Sequence, residues 1–182
     1  MQADWEVEIG GDAPDIEGVW PGFVDLRIVP EQIFKVSEVL ALPALGKILV
    51  RLNARTSPVW TSKCDVWAVE CLAEVHLDAF DLDADGDEIA YVQACYIDLL
   101  PHTDRPWQLL ERAELAAKIL CSRLQSVPLR CCRADLVVRR AWVAPGTCDF
   151  GITAYLTACG RDELSARATL AAALHAFADA VL

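Results

Sequence analysis

The stretch ADLVVRRAWV-APGT-CDFGITAYLTA, residues 134–158, decides the fold class of this chain. Residues 134–143 and 150–158 are strand-like apolar runs, and the segment APGT between them carries the proline and glycine of a turn. This pattern predicts two strands joined as a hairpin. Upstream, the nearly continuous apolar run at residues 89–100 predicts a central strand.

Helices are predicted on both sides of the hairpin. After it, Asp162 is a predicted N-cap, and apolar residues then recur at three- and four-residue steps, which gives a helix with one apolar face. Before it, Asp104 is a predicted cap for a helix with Pro106 in its first turn. Near residue 40, Pro43 interrupts a third helical region, so we predict two short helices there, at about 31–40 and 43–53.

The N-terminal residues complete the predicted sheet. Trp5, Val7 and Ile9 alternate with glutamates, which is the period-2 pattern of a half-buried strand. Three main helices and hairpin-joined strands predict an α+β fold, an antiparallel sheet of about five to six strands with the helices packed on one face. The middle of the chain also fits the ferredoxin-like order βαββαβ, and the strand order stays open. With 182 residues, the chain is predicted to form a single domain, residues 1–182.

An internal repeat is suggested by two pairs of segments. RLNARTSPVWTSKCD (51–65) and RLQSVPLRCCRAD (123–135) both contain Arg-Leu, a proline, and an aspartate seven positions after the proline. GFVDL (22–26) matches CYIDL (95–99). We therefore hypothesise two or three ββα units, at approximately 1–57, 58–127 and 128–182.

Composition and charge exclude several classes of protein. With 54% apolar and 24% charged residues the chain is not disordered. The net charge of −11 repels nucleic acid and anionic membranes, so neither is a predicted partner. Residues 1–100 hold 19 of the 27 acids but 6 of the 16 bases, so the two parts of the chain should attract each other. No apolar run approaches the ~20 residues of a membrane helix, the first residues do not resemble a signal peptide, and a cytoplasmic location is predicted.

The eight cysteines are predicted to be reduced thiols, because a chain of this length without a signal peptide does not depend on disulfides. No Cys-x-x-Cys pair is present, which argues against structural zinc. Cys131 and Cys132 lie among arginines that could make a thiol reactive, yet adjacent strand residues face opposite sides, so one is expected to be buried. Those arginines could also bind an anion, but a strand face paired with the acidic part of the chain explains them better.

The acidic segment DLDADGD, residues 81–87, matches the opening of a calcium-binding loop. The twelfth position, where that loop needs a bidentate glutamate, is Val92. Any calcium site here would therefore be weak, and a solvated acidic loop is the alternative; no other cofactor is predicted. The candidate ligands are Asp81, Asp83, Asp85 and Asp87.

Two further pairs of residues are candidates for function. Asp25 and Asp98 are equivalent in the hypothesised repeat and could line a pocket between repeats as acid and base, although repeated aspartates more often anchor turns. Trp60 and Trp67 lie an odd number of residues apart on one predicted strand, so one would join the core and the other an interface between chains.

These observations favour a small acidic protein that binds rather than catalyses and acts as a homodimer. Its ligand or partner protein stays open, and by analogy from charge alone the acidic first half would suit a basic partner. Nothing in the sequence argues for an enzyme. The alternatives are a small-molecule-binding protein or enzyme with a carboxylate-lined pocket, and a weak calcium-binding module.

Overall fold

The computed structural model describes residues 1–70, 82, 90–102, 107–144 and 147–182. No helix in these ranges is long and apolar enough to cross a membrane. The elements are β1 (Gln2–Val7), β2 (Ile16–Glu17), a 3-10 helix (Pro30–Lys35), α1 (Glu38–Ala41), α2 (Pro43–Leu52), β3 (Val59–Glu70), β4 (Tyr91–Pro101), α3 (Leu110–Gln125), β5 (Cys132–Ala144), β6 (Thr147–Gly160) and α4 (Glu163–Val181).

The strands form one sheet in the order β1-β5-β6-β4-β3, and β2 lies beside the second half of β5. The predicted α+β class is confirmed, and so is the hairpin of β5 and β6. In the run β5-β6-β4-β3 each strand is antiparallel to its neighbour, but β1 and β2 run parallel to β5, so the sheet is mixed. From β2 to β5 the chain does follow the order βαββαβ. Because β6 lies between β5 and β4, the ferredoxin-like alternative does not describe this sheet.

The helices begin where local chemistry favours it. The carboxylate of Asp162 accepts a hydrogen bond from the backbone N–H of Ser165 (2.7 Å), and the Ser165 hydroxyl accepts one from the Asp162 N–H, so the predicted cap of α4 is a capping box. Pro43 stands in the first turn of α2, as predicted. The helix predicted at 31–40 is instead a 3-10 helix and a single α-helical turn. Asp104 and Pro106 lie outside the described residues.

The main core lies between one side of the sheet and helices α2, α3 and α4. Side chains alternate along a strand, so every second residue of the central strands faces the helices. These helix-facing residues are Cys95, Ile97 and Leu99 of β4, Cys132, Ala134, Leu136 and Val138 of β5, and Ile152, Ala154, Leu156 and Ala158 of β6.

The hypothesised repeat is not confirmed. Residues 95–99 lie in β4, but residues 22–26 form no strand, so the correspondence of Asp25 with Asp98 is wrong at the level of structure. The other pair of segments does occupy like positions, because each runs from the end of a helix into the next strand. The order of elements along the chain is strand, strand, helix three times over, as the predicted ββα unit has it, with groups ending at α2, α3 and α4.

A β-bulge in β3 overturns the predicted orientation of two tryptophans. Thr61 pairs with Leu99 and Cys64 with Ile97, so β3 has one extra residue at this point. The extra residue reverses the alternation, and Trp60 (opposite Leu100) and Trp67 (opposite Ala94) therefore point to the same side of the sheet. The prediction that they face opposite sides is wrong, because residue counting assumes an unbroken strand.

The side of the sheet away from the helices is the helix-free face, since no helix of the described residues covers it. At one end, residues 16–18 (the bridging segment) cross this face from β5 to β3. The Gly18 N–H donates to the Trp142 carbonyl (2.9 Å), and the Ser62 hydroxyl donates to the Glu17 carbonyl. Beneath the bridging segment lies a second, small core. Its fully buried members are Ile16, Trp60, Leu100 and Ala141.

Candidate functional site

A row of acidic and aromatic side chains runs across the middle of the helix-free face. Asp65 of β3 pairs with Tyr96 of β4, Tyr96 pairs with Tyr155 of β6, and Tyr155 pairs with Asp135 of β5. Paired residues of antiparallel strands project from the same side, so these four form one continuous line, called here the central row. Asp4 of β1 pairs with Asp135 and extends it to the edge of the sheet.

The aromatic side chains of this face lie in contact with one another and with solvent. The Trp67 and Tyr96 ring centroids are 6.4 Å apart, and those of Tyr96 and Tyr155 are 5.9 Å apart. Trp67 is 38% exposed, and both tyrosines are half-buried. The three rings therefore present a connected aromatic surface beside the carboxylates of the central row.

Asp98 lies next to the central row, one pair further along β4, and is 5% exposed. The Thr153 hydroxyl donates to its Oδ1 (2.7 Å), and Oδ2 accepts no hydrogen bond within the described part of the chain. Burial raises the pKa of Asp98 to about 6 because it removes water from the charged form; the Thr153 hydrogen bond, Arg139 and Lys63 act in the opposite direction. The site therefore holds a buried carboxylate with one unused oxygen.

Arg139 links Asp98, through Thr153, to Glu8, which follows β1. Its Nη1 donates to Thr153 Oγ1 (3.3 Å) and to Tyr155 Oη (3.1 Å), while Nε and Nη2 donate to Glu8 (3.0 and 2.6 Å). Arg139 thus holds Thr153 and Tyr155 in place from the β5 side. This ion pair joins an acid of residues 1–100 to a base of residues 101–182.

The helix-free face keeps a surplus of negative charge. Arg133 pairs with Asp135 at 2.7 Å, and Lys63 pairs with Glu17 at 2.6 Å, away from the row. In contrast, four carboxylates of this face have no lysine or arginine nitrogen within 4 Å in the ranges that the structure describes. These are Glu6, Asp65, Asp98 and Asp149.

The predicted partner of Asp98 has a different role. Asp25 accepts hydrogen bonds from Arg27 Nε (2.8 Å), Nη2 (2.7 Å) and the backbone N–H (3.1 Å), and these bonds keep its pKa below the usual value. The Arg27 guanidinium lies over the Trp60 ring at 3.8 Å, so this pair anchors the loop on the second core. The structure gives Asp25 and Asp98 separate partners and does not bring them together.

Two larger cavities open in the described part of the molecule. A cleft of about 330 Å³ lies beside the bulge, between Trp20, Lys63 and Tyr96. A groove of about 520 Å³ lies between α3 and the end of α4, over Val59 and Ile152. Neither Asp25 nor Asp98 lines either of them.

Burial suppresses the reactivity of several described thiols. Cys132 is buried, and burial raises its pKa to about 11; burial likewise raises the pKa of Cys64 to about 12 and that of Cys95 further. A high pKa keeps a thiol protonated and therefore poorly nucleophilic. The structure thus gives no support to a reactive thiol at Cys132.

The remaining predicted site residues fall into two groups. Trp60 is 1% exposed and belongs to the second core, so only Trp67 of the tryptophan pair offers surface to another chain. The candidate calcium ligands at 81–87 lie outside the described residues, and no group of three metal-ligating side chains occurs within the described ones.

Comparison with protein families, curated proteins and solved structures gives no match for this chain. Function must therefore be argued from the helix-free face itself. Sequence reasoning found Asp98 and Trp67 but missed Tyr96, Tyr155 and Arg139. The alternation of residues along the strands at 89–100 and 150–158 places both tyrosines on the side of Asp98, and that signal could have found them.

Proposed function

We propose that the protein is a non-enzymatic, cytoplasmic binding module that acts as a homo-oligomer and receives a partner protein on its helix-free face. The observation that carries the proposal is the connected surface of Trp67, Tyr96 and Tyr155, with ring centroids 6.4 and 5.9 Å apart. Tryptophan and tyrosine dominate the binding energy of protein interfaces, because they bury a large area and also offer a polar group.

The edges of the sheet favour a partner that binds the helix-free face over one that adds a strand to an edge of the sheet. On the two outermost strands, the backbone N–H of Trp5 donates to Asp4 (2.8 Å) and that of Val66 donates to Asp65 (2.7 Å). An edge amide that already has an acceptor is less available to an added strand, and the carboxylate also discourages pairing. The aromatic surface is the more available contact region.

Selection from a displayed library of random peptides tests this function. Peptides that bind the wild-type protein are expected to lose at least about tenfold in affinity for Trp67→Ala, since truncation of an aromatic hot spot costs about 2 kcal/mol or more. Trp142→Ala is the matched control, because Trp142 is similarly exposed (43%) and its indole binds Asp15 instead of the aromatic surface. Binders that are indifferent to Trp67→Ala would refute the assignment of the face.

Native mass spectrometry tests the oligomeric state. We expect a homodimer in the freshly purified protein. A monomer at micromolar concentration would contradict the homo-oligomer, while leaving the binding surface to the peptide selection.

A small-molecule site or an enzyme site is the second candidate, and Asp98 is the observation that favours it. A buried carboxylate with a pKa of about 6 has the properties of a general acid or base. A retained small-molecule mass in the native spectrum, lost in Asp98→Asn, would favour this candidate. Calcium binding at residues 81–87 stays a prediction.

A further inference from the structure

We propose that the helix-free face recognises a lysine or arginine side chain of its partner, held over the ring of Tyr96 and paired with the free oxygen of Asp98. This inference rests on the proposed function and names the chemistry of the partner. The occupant is an extended basic segment of a protein, with further lysines or arginines meeting Asp65 and Glu6.

The first step is the incomplete hydrogen bonding of Asp98. Asp98 is 5% exposed, and among the residues that the structure describes a single side-chain donor, Thr153, reaches its carboxylate. Buried carboxylates ordinarily have donors for both oxygens, because an unsatisfied charged group in a poorly hydrated site is costly. Oδ2 is not sealed off from solvent in the folded chain, so a donor from a bound partner can reach it.

The second step is the aromatic surface around that oxygen. The faces of aromatic rings carry partial negative charge and attract ammonium and guanidinium groups within about 6 Å. The chain already uses this interaction on the same face, where the Arg139 guanidinium lies 5.6 Å from the Tyr155 centroid. Tyr96 has ring neighbours but no cation within the described residues, so its face is the free position.

The third step is the charge of the surroundings. Asp65 lies directly across the strand pair from Tyr96, and Glu6 stands opposite Val137 on the same face. Neither carboxylate is paired with a lysine or arginine of the described chain. Together with the net charge of −11, they attract a basic segment and repel an acidic one.

Titration with defined peptides tests the inference. The probes are fluorescein-labelled hexalysine and hexaarginine, with hexaglutamate and fully acetylated hexalysine as comparisons, followed by fluorescence anisotropy. We expect both basic peptides to bind, the other two not to bind, and the affinity to fall as salt is added.

Variants separate specific recognition from general attraction. Asp98→Asn keeps the size of the side chain and an acceptor for Thr153, and should weaken hexalysine binding at least about tenfold. Tyr96→Leu should weaken it, whereas Tyr96→Phe, which keeps the ring face, should not. Asp179→Asn is the matched control, because Asp179 lies on α4, far from this face, and also carries one negative charge. Circular dichroism and thermal melting verify that each variant is folded.

Four outcomes would overturn the inference. An equal loss of hexalysine affinity in Asp98→Asn and Asp179→Asn would show that net charge alone causes the binding. Failure of both basic peptides to bind the wild-type protein would rule out the proposed site. Spermine binding that depends on Asp98, without peptide binding, would assign the site to a free polyamine. If the selected peptides depend on Trp67 but contain no excess of lysine and arginine, the inference fails while the proposed function stands. If no selected peptide depends on Trp67, the proposed function itself fails.

Discussion

At the scale of single residues, Asp98 is the side chain whose protonation matters most for this molecule. Burial raises its pKa from an ordinary value of 3.8 to about 6, against the effects of Thr153, Arg139 and Lys63. A difference of this size corresponds to about 3 kcal/mol between the charged and neutral forms. At neutral pH the charged Asp98 carboxylate therefore destabilises the folded protein. The favourable contribution of the protonated side chain to the free energy of unfolding is complete below pH 3.8 and is lost as the pH rises through 6.

Asp98→Asn is accordingly expected to raise the free energy of unfolding at pH 7 by about 1–2 kcal/mol, with the amide's need for new partners offsetting part of the gain. The advantage over the wild type should shrink towards pH 4, where Asp98 is neutral. Urea unfolding of both proteins at pH 7, 6, 5 and 4 measures this difference, and other carboxylates cancel in the comparison. A difference that stays constant with pH would show that Asp98 does not titrate as described.

The thiols give a second prediction at the residue scale. In a Cys71→Ser background, which removes the one cysteine outside the described residues, a thiol reagent should label Cys148 first because it is exposed. Replacement of Cys148 by serine should abolish this fast phase. The other described cysteines should react slowly or only after unfolding, and a fast phase that survives would reveal an activated thiol. They are Cys64, Cys95, Cys121, Cys131, Cys132 and Cys159.

At the scale of elements, an aspartate on each of the two edge strands binds a backbone amide of its own strand. Asp4 on β1 and Asp65 on β3 each accept a hydrogen bond from the amide of the next residue. Unpaired edge amides invite another strand, and natural sheets commonly protect them with charge. The same two carboxylates thus contribute to the acidity of the face and to the solubility of the sheet.

The double variant Asp4→Val, Asp65→Val should self-associate more strongly than the wild type. An increase in affinity of about tenfold, equivalent to about 1.4 kcal/mol, is expected because both edges lose their charge and gain a β-branched residue. Sedimentation velocity over a range of concentrations measures the change. The control, Asp12→Val with Asp179→Val, removes the same charge at exposed positions off the strands, and equal association of the two double variants would refute the role of the edges.

Elements were predictable where they depend on local sequence. The β5–β6 hairpin, α2 and the capped start of α4 follow from turn residues, Pro43 and Asp162, all of which act over a few residues. The position of β1 beside β5 was not predictable, since it joins residues more than 100 positions apart. The sequence identified Asp98 of the candidate site. The prediction that Asp25 is its partner was wrong, because the Asp25 carboxylate pairs with Arg27, two residues away.

At the scale of the whole molecule, two cores share one sheet. The larger one lies under the helices, and the smaller one lies under the bridging segment at one end of the helix-free face. Gly151 makes the second core feasible, because a Cβ at this position would lie 2.8 Å from Ile16 Cδ1 and 2.9 Å from the Leu99 carbonyl oxygen. The bridging segment therefore fixes where the open part of the face begins.

Gly151→Ala should displace the bridging segment and destabilise the protein by about 1–3 kcal/mol, as overpacking does in a close-packed site. The Gly18 amide, which donates to the Trp142 carbonyl, should lose protection against hydrogen exchange. Gly10→Ala is the control, since no atom lies within 4 Å of the added carbon. Unchanged protection of Gly18 would show that the segment does not depend on this close approach.

The bulge in β3 has a consequence for the way substitutions should be tolerated along that strand. Before it, Val59 and Thr61 are the buried helix-facing positions; after it, the partly buried Cys64 and Val66 face the helices. A saturation mutagenesis profile should therefore show sensitivity at all of residues 59–61, because Trp60 is buried in the second core, and at even positions beyond residue 63. The residue at which the pattern of sensitivity changes should therefore locate the bulge without a structure.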